Sequence, residues 1–335
     1  TPSAAVGNFP HGVCMSSDGN RIFVLSAEYN SSSRKGRIHV YDYSSGWSNI
    51  PTTTLSQPAL GSVPYFTPRV HCSPDGNTCS TSETDEYVFT WKYTNGSWQT
   101  TPDNISSSGG YYGKNIAFNA DGTIMVVSAE TANTNLGKVI VYKYINSWSE
   151  IQVIPGEYTG ERFGSRLAMN AGGTRMAVSA LFNDEDGSDS GRVYILDRSA
   201  SSDIWSLTQD IPSQSSTTSN FGGDIFMNSL GNRIIIGAYR HDTVSATDIG
   251  VVYIYDLQDT GEFSLSQTIN GSQTSENFGF SICGDENANN IGITAPQNDT
   301  GGTNIGRVYI YEAETSSNPT LTYDGITNLN VTGAE

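Results

Sequence analysis

The 335-residue chain is poor in basic residues, histidine and cysteine, and each shortage excludes something. Seventeen Lys and Arg face 34 Asp and Glu, leaving a net charge of −17. Such a field repels nucleic acid and anionic membrane, so neither is an expected partner. No run approaches the roughly 20 apolar residues of a membrane-spanning helix, so direct membrane insertion is not expected either. The four histidines are His11, His39, His71 and His241, and three of them fall in predicted strands. No Gly-x-Ser-x-Gly elbow, His-Glu-x-x-His pair or phosphate-cradling glycine loop occurs. These absences lead to the expectation of a binding protein rather than an enzyme. Cys14, Cys72, Cys79 and Cys283 form no Cys-x-x-Cys metal or redox motif. The chain starts at Thr1 with neither an initiator Met nor a leader, which reads as a processed chain or an excised fragment.

What is abundant is the material of short strands and tight turns: 18 Tyr, 12 Phe, 5 Trp, 35 Gly and 12 Pro. One phrase recurs six times, as FPHGVCM from Phe9, TPRVHCS from Thr67, YGKNIAF from Tyr112, FGSRLAM from Phe163, FGGDIFM from Phe221 and FGFSICG from Phe278. A short turn follows each, with Asp-Gly at Asp18, Asp75 and Asp121. Next comes a β-branched run such as RIFVLSA from Arg21 or NRIIIGA from Asn232, and then a third phrase such as GKVIVY from Gly137 or GRVYIY from Gly306. A fourth strand opens on Trp47, Trp98, Trp148, Trp205 or Phe263, with Leu321 in the last copy. A four-stranded unit repeating about every 50 residues cannot bury both faces alone, and radial stacking of such units makes a propeller. The sequence therefore predicts an all-β chain, a single β-propeller domain over 1–335 with six four-stranded antiparallel blades. The blades span approximately 9–56, 66–104, 112–155, 163–213, 221–270 and 278–326, and a seventh blade assembled from the termini is the alternative.

The units resemble FG-GAP repeats, the blades of the integrin α-subunit head and of many secreted proteins. The likeness is carried by Phe163-Gly164, Phe221-Gly222 and Phe278-Gly279, by Ser179-Ala180, Gly237-Ala238 and Ala295-Pro296, and by the Gly-x-Val-Tyr-Ile-Tyr phrase. It implies an extracellular adhesion role. The family's calcium loop lies between the first two strands, where this chain has only turns such as Ser17-Asp18-Gly19-Asn20. That is too short to supply six to eight oxygens, so the family's metal sites are not carried over.

Aligned copies place Cys14 opposite Cys283, a candidate disulfide closing the ring. Cys72 and Cys79 flank one turn and form a second candidate. The long loops gather on one side of the ring and are rich in Glu28, Glu83, Asp85, Glu86, Glu130, Asp184, Glu185, Asp186, Asp189, Asp242, Asp248 and Asp299. Asp103, Glu157, Glu161 and Glu276 add to that acidic face. The densest run, Asn183 to Asp189, is half of a calcium loop, making Asp184, Asp186 and Asp189 candidate ligands and calcium the one cofactor worth testing. The tryptophans of the fourth strands are expected to pack between blades, leaving Tyr29, Phe182 and Tyr239 as candidate sugar-stacking aromatics. Glycosylation acceptors stand at Asn30, Asn95, Asn104, Asn270, Asn298 and Asn330. The resulting expectation is a non-enzymatic module of adhesion or assembly outside the cell, on a cell surface or on a particle. It would meet a protein, a glycan or copies of itself, with a lectin and a calcium-dependent adhesion domain as alternatives.

Overall fold

Short runs of β-branched and aromatic residues, bounded by Gly, Asn, Asp or Ser, become strands throughout the computed structural model. The structure describes residues 7–29, 34–58, 69–83, 87–107, 109–199, 201–244, 246–300, 305–313 and 323–329. Six antiparallel sheets follow one another along the chain. Blade 1 consists of Gly7–Met15, Arg21–Tyr29, Arg34–Asp42 and Thr53–Ser56. Blade 2 has Arg69–Cys72, Thr78–Glu83 and Tyr87–Thr94, the last pairing with both Ser97–Trp98 and Asp103–Ser106. Blade 3 has Ile116–Phe118, Ile124–Ala129, Lys138–Tyr144 and Trp148–Pro155. Blades 4 and 5 run Phe163–Met169, Arg175–Ala180, Arg192–Asp197, Ser206–Pro212 and Phe221–Met227, Arg233–Ala238, Val251–Leu257, Phe263–Asn270. Blade 6 runs Ile282–Gly284, Asn290–Ala295, Arg307–Ala313 and Tyr323–Leu329. The chain is a six-bladed β-propeller. No seventh sheet occurs among the described residues, and their one helix, Ala132–Asn135, is far too short to cross a membrane.

Packing groups the chain into two compact units, Thr1–Asn133 with Lys138–Ile154, and Thr134–Gly137 with Pro155–Glu335. In the first unit, the first strand of blade 2 packs beside those of blades 1 and 3. In the second, the first strand of blade 5 packs beside those of blades 4 and 6. First strands are therefore the inner ones.

The recurring glycines are explained by how closely the blades approach. Gly222 has φ +87°, and a Cβ there would lie 2.6 Å from the Ser179 Cβ of the preceding blade. Gly113 meets Ser82 in the same way at 2.8 Å. Ser82, Ser179 and Gly237, small residues near the ends of their second strands, thus seat Gly113, Gly222 and Gly279 of the following blades. The glycine opening the third phrase serves the same joint from the other side. At Gly250 (φ +77°) a Cβ would stand 2.1 Å from the Phe278 carbonyl oxygen, and at Gly191 2.3 Å from that of Phe221. Beside them, Phe278 N–H donates to Ile249 O at 3.2 Å and Phe221 N–H to Ser190 O at 2.9 Å.

The short turns are stitched as well. Ser17 N–H donates to Pro74 O and Asp75 N–H to Ala120 O in the first unit; Ala171 N–H donates to Ser229 O and Ser229 N–H to Glu286 O in the second. Each turn is closed by a side chain: the amide oxygens of Asn170 and Asn228 each accept two main-chain N–H groups, and Ser73 does similar work in blade 2. A charged clamp reinforces these joints. Arg175 forms two hydrogen bonds with Asp197 (2.7 and 2.8 Å), donates to Gly231 O of the next blade at 2.8 Å and lies 5.2 Å over Phe263. Arg21 repeats the scheme with Asp42, Gly76 O, Tyr93 and Trp98. Between the sheets lie apolar clusters, such as Phe221 and Ile236 with Tyr253 and Tyr255, each fully buried large side chain contributing roughly 1.5–3 kcal/mol.

Candidate functional site

The polar group with the most chemistry lies on the inner strands of the second unit. Pairing in blade 5 jumps from Phe221 opposite Ala238 to Asp224 opposite Gly237, a register shift that follows the Phe-Gly joint. Such shifts re-aim side chains. Asp224 Oδ2 accepts the Ile282 N–H at 2.7 Å and the Ser281 hydroxyl at 3.1 Å, both from blade 6. On the blade 4 side, Arg166 Nε lies 3.6 Å from Asp224 Oδ1. Burial is the largest influence on this carboxyl and raises its pKa above the ordinary value, despite the N–H, the guanidinium and the hydroxyl that oppose the shift.

An aromatic edge adjoins this group. Tyr239 follows the second strand of blade 5 and meets Phe280 edge to face, ring centres 5.3 Å apart. Gly223 makes room for it, since a Cβ there would fall 2.5 Å from Tyr239 Cδ1. Phe280 is 48% exposed, unusual for so large an apolar ring. Arg166 and Arg240 both act electrostatically on the Tyr239 hydroxyl. Arg240 itself is about half exposed and 3.4 Å from Asp248. Arg162 lies 4.4 Å over the Phe182 ring. Three arginines in a strongly acidic chain are thus placed on inner-strand positions and their adjoining loops. The combination offers a ring face for stacking, guanidinium forks for a carboxylate and a carboxyl–hydroxyl pair for alcohol groups. Of this set, only Tyr239 and Phe182 were legible as candidates from sequence.

Several expected site residues have other work. The run Asn183 to Asp189 is drawn onto Arg192, which holds Glu185 at 2.8 Å and Asp186 at 2.9 Å, while Asp184 Oδ1 accepts the Asp189 N–H. Among the described residues no group of three or more His, Cys, Asp or Glu is placed to hold a metal ion, and Asp184, Asp186 and Asp189 do not converge as such a group. The acidic face is also thinner than composition implied, because Glu130, Glu161 and Glu276 are buried. Glu130 pairs with Lys114. Glu161 accepts from the N–H groups of Glu157 and Tyr158, from Asn183 Nδ2 and from Tyr194 OH. Glu276 is bound similarly by Ser272, Gln273, Asn298 and Tyr309. Glu28, Glu83, Asp85, Glu86 and Tyr29 have side chains outside the described residues.

Asn298 is wholly buried with its amide committed to Glu276 and Tyr309, which removes it as a glycosylation acceptor. Asn95, Asn104 and Asn270 are exposed, and Asn30 and Asn330 lie outside the described residues. Packing accounts for Trp98, Trp148 and Trp205 but not for Trp47, which is 46% exposed beside Tyr43. All four cysteines are free thiols. Cys72 and Cys79 do stand opposite each other across their hairpin, whereas Cys14 contacts Cys72 and Cys283 is exposed in the other unit.

The first unit carries two shallow grooves of about 530 and 410 Å³ that share Asp42 and Tyr93. Their floor is the Arg21 clamp, whose donors already have partners, so they offer less to a ligand.

No protein-family model and no curated protein matches the chain. Among solved structures it is similar to the periplasmic gluconolactonase of Pseudomonas aeruginosa, with a TM-score of 0.61 and 12% identity over 96% of this chain and 85% of that one. It is also similar to the β-propeller domain of Cps50 (Swd1) from Myceliophteria thermophila, with a TM-score of 0.58 and 10% identity over 100% and 91%. At these identities what is shared is the fold. The likeness nonetheless corrects one expectation. Missing catalytic motifs and a propeller architecture led to a protein that is not an enzyme, and an enzyme shares this architecture.

Proposed function

We propose that this propeller recognises a carboxylate-bearing saccharide on the inner strands of blades 4 to 6, and that it does so at a surface outside the cytosol. The observation carrying the reading is the ring pair of exposed Phe280 and half-buried Tyr239 beside Arg166, Arg240 and the Asp224–Ser281 couple. A pyranose presents an apolar C–H face to an aromatic ring, hydroxyls to a carboxyl and a carboxylate to a guanidinium fork. The resemblance to FG-GAP blades and the exposed acceptors Asn95, Asn104 and Asn270 support a surface role in adhesion. Titration with uronic-acid and matched neutral oligosaccharides tests the reading. Phe280→Ala and Arg240→Gln, both at exposed side chains, should each weaken acidic-sugar binding about tenfold. Equal affinity for the neutral sugars, or variants that bind as the wild type does, refutes it.

A second reading is favoured by the raised pKa of Asp224 next to Arg166 and by the likeness to a gluconolactonase. Asp224 would take a proton from water attacking a sugar lactone, Arg166 would steady the developing oxyanion, and as the acyl C–O bond breaks Asp224 would return the proton to the departing ring oxygen, giving the open hydroxy acid. Acid release from gluconolactone, above background and lost in Asp224→Asn, distinguishes turnover from binding alone.

A further inference from the structure

Three of the four cysteines meet in the first unit, a grouping that neither sequence-based pairing anticipated. Cys14 is the penultimate residue of the first strand of blade 1 and Cys72 the last of that of blade 2, two strands that run side by side. Their alignment is fixed two residues earlier: a Cβ on Gly12 would lie 3.4 Å from Val70 Cγ1 and 3.7 Å from Val70 N. Two residues on, Cys14 therefore stands beside Cys72, and both pack against the same apolar cluster. Cys72 Sγ also lies 3.6 Å from Met15 O, one residue past Cys14. Cys79 faces Cys72 from the second strand of its own blade. It is wholly buried in the cluster of Phe23, Phe89 and Trp91, whereas Cys14 and Cys72 are only partly buried at the edge of that cluster.

We propose that Cys14 and Cys72 are a thiol pair that closes to a disulfide between blades 1 and 2 when a small disulfide, such as glutathione disulfide, reaches it. The Cys72 thiolate attacks one sulfur of glutathione disulfide and releases the first glutathione. Cys14 loses its proton to solvent, and its sulfur displaces the second glutathione from Cys72. Two protein thiols are oxidised, and one glutathione disulfide is reduced to two glutathione molecules, so atoms and electrons balance. Cys79 stays reduced, because the oxidant cannot enter the cluster that covers it. Burial also holds the Cys14 and Cys79 thiols protonated well above their ordinary range, so the exchange begins at Cys72.

The test is intact mass and non-reducing peptide mapping of the folded chain titrated with glutathione disulfide. The expected result is a loss of two hydrogens, reversed by a thiol reductant, and a linked peptide joining Cys14 to Cys72. Cys79→Ala should behave as wild type, and Cys14→Ser should retain one glutathione on Cys72. A Cys72–Cys79 or Cys14–Cys283 linked peptide in wild type, or an unchanged mass, overturns the proposal. The wild-type map carries the test even if a variant folds poorly.

Discussion

Replacing Gly250 with Ala isolates the joint between two blades. Gly250 has φ +77°, a region in which an L residue costs roughly 1–2 kcal/mol. The new Cβ would also stand 2.1 Å from the Phe278 carbonyl oxygen, where no Cβ can remain. Blade 6 must retreat, and the Phe278 N–H to Ile249 O bond is stretched or lost, costing about 1 kcal/mol more, with loosened packing of buried Phe278 against Tyr309 in addition. The total expected is about 3 kcal/mol. Gly261 provides the control: it sits in blade 5 with φ +87°, but a Cβ there meets nothing within 4 Å. Gly261→Ala should therefore lose only the conformational part, about 1–2 kcal/mol. Urea denaturation of both variants against wild type measures the difference directly. Equal losses would mean that the close approach of the blades does not explain the recurring glycine, and the account of the stitching would fail.

Three further perturbations probe the buried polar groups. His71 is an inner-strand imidazole whose Nε2 is sealed from water without a partner; burial, and then nearby Arg69, pull its pKa down to about 3. The folded state keeps it neutral while the unfolded chain protonates below the ordinary imidazole value near 6.5, so stability falls as pH drops through the interval down to about 3. Between pH 6.5 and 4.5 this group alone should cost about 2.3 kcal/mol, and His71→Phe should flatten that slope; an identical slope in the variant would refute the assignment. Glu276→Gln turns an amide donor toward a site already filled by donors, so a loss of about 2–4 kcal/mol is expected by denaturant titration, and an unchanged midpoint would deny that Glu276 organises its loop. Asp197→Asn should cost about 1–3 kcal/mol by breaking the half-buried Arg175 clamp, whereas Asp248→Asn at the exposed Arg240 pair should stay within about 0.5 kcal/mol.

The propeller was legible because its constraints recur. A glycine pressed against a neighbour's carbonyl leaves a mark at Gly191 and Gly250 alike, and a continuous buried run leaves one at the second strands of blades 3, 4 and 5. The clamp was legible too, as Arg21, Arg175 and Arg233 opening the second strands and Asp42, Asp197 and Asp256 directly after the third phrases, but it is visible only when two phrases are compared together. Charge was misread for a physical reason. Glu161 and Glu276 stand two residues before a Phe-Gly, where loop main-chain N–H groups, an Asn and a Tyr converge on them; a count of loop carboxylates cannot distinguish such acceptors from solvated ones. The facing of Cys72 and Cys79 was legible from the turn they flank, whereas the approach of Cys14 to Cys72 joins two blades and leaves no mark within either copy.

The candidate site illustrates where such a protein keeps its individuality. Three residues after the residue that opens each copy (an aromatic in all but the second, which has Thr67), the chain reads Gly12, Val70, Asn115, Arg166, Asp224 and Ser281. In blades 3 to 6 the positions before it are held by packing: Tyr112, Phe163, Phe221 and Phe278 are buried, and Gly113, Gly222 and Gly279 lie against the previous blade. In blades 4 and 5 the pairing register shifts between the aromatic and the resumption of the ladder, so the third residue is released from the repeat's packing demands. Side chains there are free to differ, and in blades 4 to 6 they supply a cation, an acid and a hydroxyl within reach of one another. If recognition resides at that position, exchanging Arg166, Asp224 or Ser281 for the residue of another copy should alter ligand binding while leaving the melting temperature nearly unchanged. A collapse of the fold on such exchanges would show instead that the triad is a structural clamp like Arg175–Asp197, and the site would have to be sought elsewhere.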